Sequence, residues 1–249
     1  MERQDLHLHT VYSDGENTAE DMIRAAIRAG LTTVGISDHA YTSFDESYCI
    51  KQDQVSLYRQ EIAELRERYR DSIRVLCGIE QDSCADDPAI GYDYVIGSVH
   101  YVKIDDRYLP IDENVEILKR AIAEDFGGDP YALVERYFET VAQVVRKTGA
   151  TVIGHFDLIS KFVEHSVWFD PSHPRYRAAW QKAADSLLQT QIPFEINYGA
   201  VLRGYRTEPY PSAEIRSYLL ANGGTLLPSS DSHSVAALIQ SRKLMETLN

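Results

Sequence analysis

Seven short runs rich in valine and isoleucine, each followed by a helix-like stretch, constrain this chain more than any other feature. The runs cover residues 6–10, 33–37, 74–80, 94–100, 151–155, 193–197 and 225–229. They are largely continuous rather than alternating, the pattern of strands buried on both faces of a parallel sheet. The stretches between them carry helix signals. Thr18 reads as an N-cap with Asp21 three residues on, Met22, Ile23, Ala26 and Ile27 form an apolar stripe, and Gly30 sits where a C′ glycine belongs. Further helices are predicted over 54–69, 113–125, 130–149 (opened by Asp129-Pro130), 176–189, 212–221 and near the C-terminus. Residues 203–211 and 101–110 read as longer loops, the second compatible with a small hairpin. With no linker-like stretch, this order predicts one α/β domain over 1–249. A closed or nearly closed barrel is the first expectation and an open doubly wound sheet the second.

Composition narrows the function. Lys and Arg total 25 against 38 Asp and Glu, a net charge of −13, and the pI is near 5.0. Such a chain is a poor general ligand for phosphodiester polymers, whose binding rests on counterion release by basic side chains. No run approaches the ~18 apolar residues of a membrane span, and the opening residues show no apolar signal-peptide core. Cys49, Cys77 and Cys84 form no CxxC pair and are expected to be reduced thiols. A cytoplasmic protein is expected.

The eight histidines are not scattered. His7 and His9 end the first predicted strand, His39 follows the second, His100 closes the fourth and His155 the fifth, while Asp231 and His233 follow the last. Glu80 closes the third, and Asp14 lies in the first loop. In a parallel barrel all of these positions share one face, the face that carries active sites. Alternation turns His7 and His9 the same way, with Leu8 opposite. Crowded imidazoles cannot all be protonated at neutral pH, and neutral imidazole with carboxylate suits Zn, Mn or Fe. The cluster therefore predicts a metal centre. His165 and His173 fall away from strand ends and are expected at the surface.

His7-Leu8-His9-Thr10, Ser13-Asp14-Gly15, Ser37-Asp38-His39, Gly78-Ile79-Glu80, Gly97-Ser98-Val99-His100, Gly154-His155 and Ser230-Asp231-Ser232-His233 resemble the motifs of the PHP (polymerase and histidinol phosphatase) superfamily. They are most similar to its stand-alone histidinol-phosphate phosphatase branch. The resemblance implies a distorted (β/α)7, TIM-like barrel holding two or three divalent ions. It implies one ion at His7, His9, Glu80 and Asp231. A second would sit at Glu80, His100 and His155, bridged by Glu80, and a third at Asp14, His39 and His233. Some members place a histidine where this chain has Asp14.

A centre of this kind suits hydrolysis of a small phosphate monoester, with L-histidinol phosphate the expected substrate and a metal-bridging hydroxide the expected nucleophile. Asp231 or His233 is expected to return a proton to the leaving alkoxide. Arg203, Arg206 and Lys161, in loops on the same face, are candidates to meet the phosphate. Asp157, Glu195 and Asp45 are candidates for the cationic end of the substrate, and Tyr41, Tyr101 and Tyr198 for its ring. Action on nucleotides or nucleic-acid ends predicts a basic track that this acidic chain lacks. A metal-dependent amidohydrolase would favour a bridging lysine over the extra ligands His39 and His233. A non-enzymatic metal-binding domain predicts missing ligands, whereas all nine positions carry coordinating side chains.

Overall fold

A computed structural model describes residues 3–86 and 88–248. In chain order it contains β1 (Gln4–Asp5), α1 (Ala19–Arg28), β2 (Thr33–Ile36), α2 (Val55–Tyr69), β3 (Arg74–Asp82) and β4 (Tyr94–Ser98). The hairpin β5 (Tyr101–Ile104) and β6 (Arg107–Pro110) follows, then α3 (Val115–Asp125), α4 (Pro130–Val141), α5 (Val144–Thr148) and β7 (Val152–Ile153). The chain continues through α6 (Pro174–Leu188), β8 (Phe194–Asn197), α7 (Gly199–Leu202), α8 (Ala213–Ala221), β9 (Leu226–Ser229) and α9 (Val235–Leu248).

Seven strands pair in the order β1-β2-β3-β4-β7-β8-β9, every pair parallel. Just beyond β1 and β9 the first and last strands meet. Ser232 N donates to His7 O at 3.2 Å and His9 N to Ser232 O at 3.0 Å. This seam makes a nearly closed barrel and sets aside the open sheet.

The outward residues of the strands pack under the helices. Leu8, Val34, Ile36, Val75 and Ile79 meet Met22, Ile23, Tyr58 and Ile62 of α1 and α2 on one side. Ile153 and Phe194 meet Tyr137, Phe138 and Trp180 of α4 and α6 on the other. Inward residues follow the period of two. On β3 they are Leu76, Gly78, Glu80 and Asp82, so the same alternation that fills the lower barrel delivers carboxylates to its upper end. The lower plug is Tyr94, whose hydroxyl donates to Leu6 O at 2.5 Å. A Cβ at Gly35 or Gly78 would lie 2.1 Å from atoms of that side chain.

Several regular segments are shorter than expected, for a common reason. The first strand, expected over 6–10, instead pairs only at Gln4–Asp5, just before that run. Side chains take the amides beyond it: Asp5 Oδ1 accepts from His7 N at 3.3 Å, Ser37 Oγ from Leu8 N at 3.2 Å and Asp38 Oδ1 from Thr10 N at 2.7 Å. The fifth expected strand likewise shrinks to Val152–Ile153, because His155 N donates to Glu195 Oε2 at 2.8 Å. The helix expected over 130–149 divides at residues 142–143, which lets α5 lie on β4. A Cβ at Gly97 would come within 2.6 Å of Ala150 and 2.7 Å of Thr148. The caps agree with expectation. Thr18 Oγ1 accepts from Asp21 N, Asp129 Oδ1 accepts from Tyr131 N, and Gly30 takes φ 72°.

Candidate metal centre

Glu80, inward on β3 and buried, lies at the middle of the upper barrel. Its Oε2 is 2.9 Å from His39 Nδ1, 3.2 Å from His7 Nε2 and 3.5 Å from His9 Nε2. Its Oε1 is 2.9 Å from His155 Nε2 and 3.4 Å from His100 Nε2, and accepts from Ser98 Oγ at 2.6 Å. Asp231 Oδ1 lies 3.4 Å from His9 Nε2 and 3.8 Å from His7 Nε2. Toward solvent, Asp14 stands 3.7 Å from His9 Nδ1, 3.8 Å from His39 Nε2 and 3.3 Å from His233 Nε2. All nine residues expected as ligands thus converge at one end of the barrel.

Local backbone explains how they arrive there. His7 and His9 both turn inward because Leu8 is held in the outer core. Asp14 is carried by a tight turn in which Gly15 N donates to Thr10 O at 2.9 Å. A Cβ at Gly15 would lie 2.6 Å from the backbone of His9. Asp38 ties the turn to the next strand, accepting from Thr10 Oγ1 at 2.8 Å and Ser13 Oγ at 2.5 Å. Asp231 takes φ 51°, a left-handed conformation that costs a non-glycine residue about 1–3 kcal/mol and recurs at functional sites.

The donor set fits cations. His7 Nε2, both ring nitrogens of His9, Glu80 Oε2 and His155 Nδ1 are buried without a hydrogen-bond partner, an expensive state for polar atoms unless another ligand satisfies them. Three overlapping groups bring their ligand atoms within 4.8 Å of one another: His9, Asp14, His39 and His233; His7, His9 and Glu80; His39, Glu80 and His100. The electrostatics agree. Burial, with His233 and His39 alongside, pushes His9 down to about 3. Burial would lower His100 too, but Glu80 and Asp82 push it up to about 9. Burial opposes ionisation of Glu80, yet His39, His7 and His100 hold it well below the usual carboxylate range. The anionic carboxylates hold positive charge among these imidazoles, and divalent ions would supply it in place of protons.

Above the cluster opens a cavity of about 440 Å³, lined by Glu80, His100 and Asp231 below and by Arg203, Lys161, Asp45, Asp112, Tyr48 and Tyr101 around its wall. Arg203 Nη2 donates to Asp231 Oδ2 at 3.0 Å, and Lys161 Nζ donates to Asp112 O at 2.6 Å. Arg206 does not belong with them. Its side chain is only 4% exposed and is taken up by Ser160, Asp157, Glu164 and Glu208, so it does not line the cavity. Asp157 is buried as its partner, accepting from Ser212 N at 3.2 Å. Glu195 lies beneath the cluster, and Tyr198 and Tyr41 are absent from the cavity wall. Asp45 and Tyr101 are on that wall, joined by a 2.7 Å bond from the Tyr101 hydroxyl. His165 lies 3.0 Å from Gly204 O, and His173 caps α6 through Nδ1. Sequence reasoning missed Asp82, Ser98 and Asn197 as supports of the ligands. For Asp82 and Ser98 the signal was inward alternation on strands that already carried an expected ligand; Asn197, on β8, had only its alternation with Glu195.

The PHP domain family matches residues 5–199. The chain belongs to that family. A Schizosaccharomyces pombe protein named "Probable histidinol-phosphatase" is 26% identical over 242 residues, covering 86% of this chain and 74% of that protein. A solved structure from Listeria monocytogenes superposes with a TM-score of 0.77 at 18% identity, covering 94% of this chain and 97% of the other. The histidinol phosphate phosphatase of Lactococcus lactis, solved with Zn, L-histidinol and phosphate, superposes at 0.69 with 17% identity, over 99% and 93%. Within its family the chain groups with the histidinol-phosphatase-like members, metal-dependent enzymes that hydrolyse phosphoric monoesters. Among the described residues, no helix is long and apolar enough to cross a membrane.

Proposed function

We propose that this chain hydrolyses L-histidinol phosphate to L-histidinol and phosphate, a step of histidine biosynthesis, with two or three divalent ions of the Zn, Mn or Fe type. The observation that carries the proposal is the set of buried, unbonded imidazole and carboxylate atoms on His7, His9 and Glu80, the last on the lining of a cavity walled by Arg203 and Lys161. His7, His9, Glu80 and Asp231 would hold one ion, Glu80, His100 and His155 a second, and Asp14, His39 and His233 a third. Such ions, when bound, offset the charge of phosphate oxygens and make water nucleophilic near neutral pH.

The chain's own groups do the rest. Arg203 would bind the phosphate, since its guanidinium fork faces the cavity from Asp231, and Lys161 would approach it from the neighbouring loop after β7. Asp231 or His233 would order the water from which the leaving alkoxide takes its proton. Asp45 and Glu113 on the wall favour a cationic ester over an anionic one, and Tyr48 and Tyr101 offer ring faces to an imidazole. Three free thiols, Cys49, Cys77 and Cys84, are in keeping with a cytoplasmic setting.

The test is phosphate release from a panel of small monoesters, mononucleotides and a short 3′-phosphorylated oligonucleotide, with metal content measured on the same preparation. Histidinol phosphate is expected to lead in kcat/KM by at least about 10-fold, or ~1.4 kcal/mol. Faster turnover of a nucleotide, or no release from histidinol phosphate by metal-loaded protein, would overturn the assignment.

A further inference from the structure

Among the described residues, Glu195 is the most fully engaged carboxylate that neither lines the cavity nor counts among the nine expected ligands. It points inward from β8, its side chain is 1% exposed, and its two oxygens accept four hydrogen bonds. Oε1 accepts from His7 Nδ1 and Ser229 Oγ, and Oε2 from His155 N at 2.8 Å and Asn197 Nδ2 at 3.0 Å. A carboxylate offers about four lone-pair sites, so nothing remains for a substrate cation. The second hydrogen of Asn197 Nδ2 goes to Asp231 Oδ2 at 3.2 Å, and Asn197 Oδ1 is fixed by Gly199 N at 2.8 Å. Glu195 therefore touches three of the expected ligands by three routes: the ring of His7, the backbone of His155 and, through Asn197, the carboxylate of Asp231.

The consequence for His7 is specific. A neutral imidazole has one N–H and one lone pair, and a proton shared with Glu195 at Nδ1 leaves the lone pair on Nε2. That atom carries no hydrogen bond and faces Glu80 Oε2 at 3.2 Å. We propose that Glu195 is a positioning residue of the metal centre. It sets the tautomer and ring orientation of His7 and holds His155 and Asp231 in register, so that the expected ligands just beyond β1, β7 and β9 present their lone pairs to the ions gathered around Glu80. Partners of this kind commonly alter metal affinity 10–100-fold when removed. The inference rests on the metal reading above but not on the identity of the substrate.

The test is metal binding. In Glu195→Gln, one oxygen becomes an NH2 group facing donors. Zinc titration against a chromophoric chelator should show the apparent dissociation constant raised about 10–100-fold. Near-UV circular dichroism should stay close to that of the unaltered protein, and excess zinc should restore kcat with KM unchanged. A folded Glu195→Gln protein with unaltered zinc affinity overturns the proposal. Glu80→Gln, titrated in parallel, separates the two readings. If it weakens zinc and Glu195→Gln does not, only the positioning role fails; if neither weakens it, the metal reading fails as well. Should Glu195→Gln not fold, long-range 15N–1H correlations of the zinc-loaded, unsubstituted protein decide the matter. A proton on His7 Nδ1 is expected, and a proton on Nε2 refutes the role.

Discussion

Glu80 sits where five imidazoles meet, and its charge is what they share. Burial alone would neutralise it, but the surrounding histidines keep it ionised. Glu80→Gln removes that charge at nearly constant volume. It should cut kcat/KM by at least about 100-fold, ~2.7 kcal/mol, while circular dichroism stays unchanged. Unaltered turnover in a steady-state phosphate assay would exclude Glu80 from the centre. Two arginines three residues apart make the complementary case. Arg203 faces the cavity with its guanidinium on Asp231, so Arg203→Ala should lower kcat/KM by about 10–100-fold, ~1.4–2.7 kcal/mol, with little loss of stability. Arg206 is enclosed by Asp157, Glu164 and Glu208, and removing it strands the buried carboxylate of Asp157 at a cost of about 3–5 kcal/mol. Arg206→Ala should therefore act on Tm, by roughly 6–20 °C for a chain of this size. Kinetics and melting curves on the two variants should separate cleanly; a matching loss of Tm in both would contradict the division of roles. In the sequence the two residues look alike, because both are basic and share one loop. The carboxylates that decide between them arrive from other parts of the chain.

Strands carry the ligands, and their period of two does two tasks at once. On β3, Gly78 and Glu80 share the inner face, the first leaving room for the Tyr94 ring and the second entering the metal centre. Gly78→Ala would set a Cβ 2.1 Å from that ring, so the tyrosine must move or the strand must shift. Overpacking of this kind costs about 1–3 kcal/mol, which predicts a Tm lowered by roughly 2–12 °C and, because Glu80 is two residues away, a weakened zinc affinity. A Tm within 1 °C of the unaltered protein, read by differential scanning fluorimetry, would mean that Tyr94 does not fill the lower barrel. The order of strands and helices was legible in the sequence because apolar runs, caps and helix-closing glycines are local signals. The lengths of the first and fifth strands were not. Their amides are taken by Asp5, Ser37, Asp38 and Glu195, and a side chain that replaces a ladder bond from a neighbouring strand leaves no periodic trace. The convergence of the nine expected ligand positions was legible for the opposite reason: eight lie at or close to an expected strand end and Asp14 in the loop after the first, so the strand count alone brought them together. Glu195 was expected at the cationic end of the substrate, and its actual place could not be read, since it depends on donors from His7, His155, Asn197 and Ser229.

At the scale of the whole molecule the centre is also a clasp. The barrel closes at the seam between the segments after β1 and β9, where two backbone bonds join residues 7–9 to Ser232. The expected ligands flanking that seam, His7, His9, Asp231 and His233, converge on the same centre from both sides. An ion there ties the two ends of the chain to Glu80 in the middle, and anything that binds only the folded state adds RT ln(1 + [M]/Kd) to its stability. At free metal 1,000-fold above the dissociation constant that is about 4.1 kcal/mol, worth roughly 8–16 °C in Tm for a chain this long. Stripping with a chelator should lower Tm by that order and abolish phosphate release, and added Zn or Mn should restore both. The gain must also depend on pH, because metal and protons compete for the same imidazoles. His100, held at about 9 by Glu80 in the metal-free protein, must give up its proton to coordinate, so apparent affinity should rise with pH through the neutral range. The metal-induced increase in Tm should accordingly be larger at pH 8 than at pH 6. Calorimetry on stripped and reloaded protein at both values is the measurement. An increase that is absent at both, or larger at the lower pH, would mean that imidazoles at this rim do not bind the ion that closes the barrel.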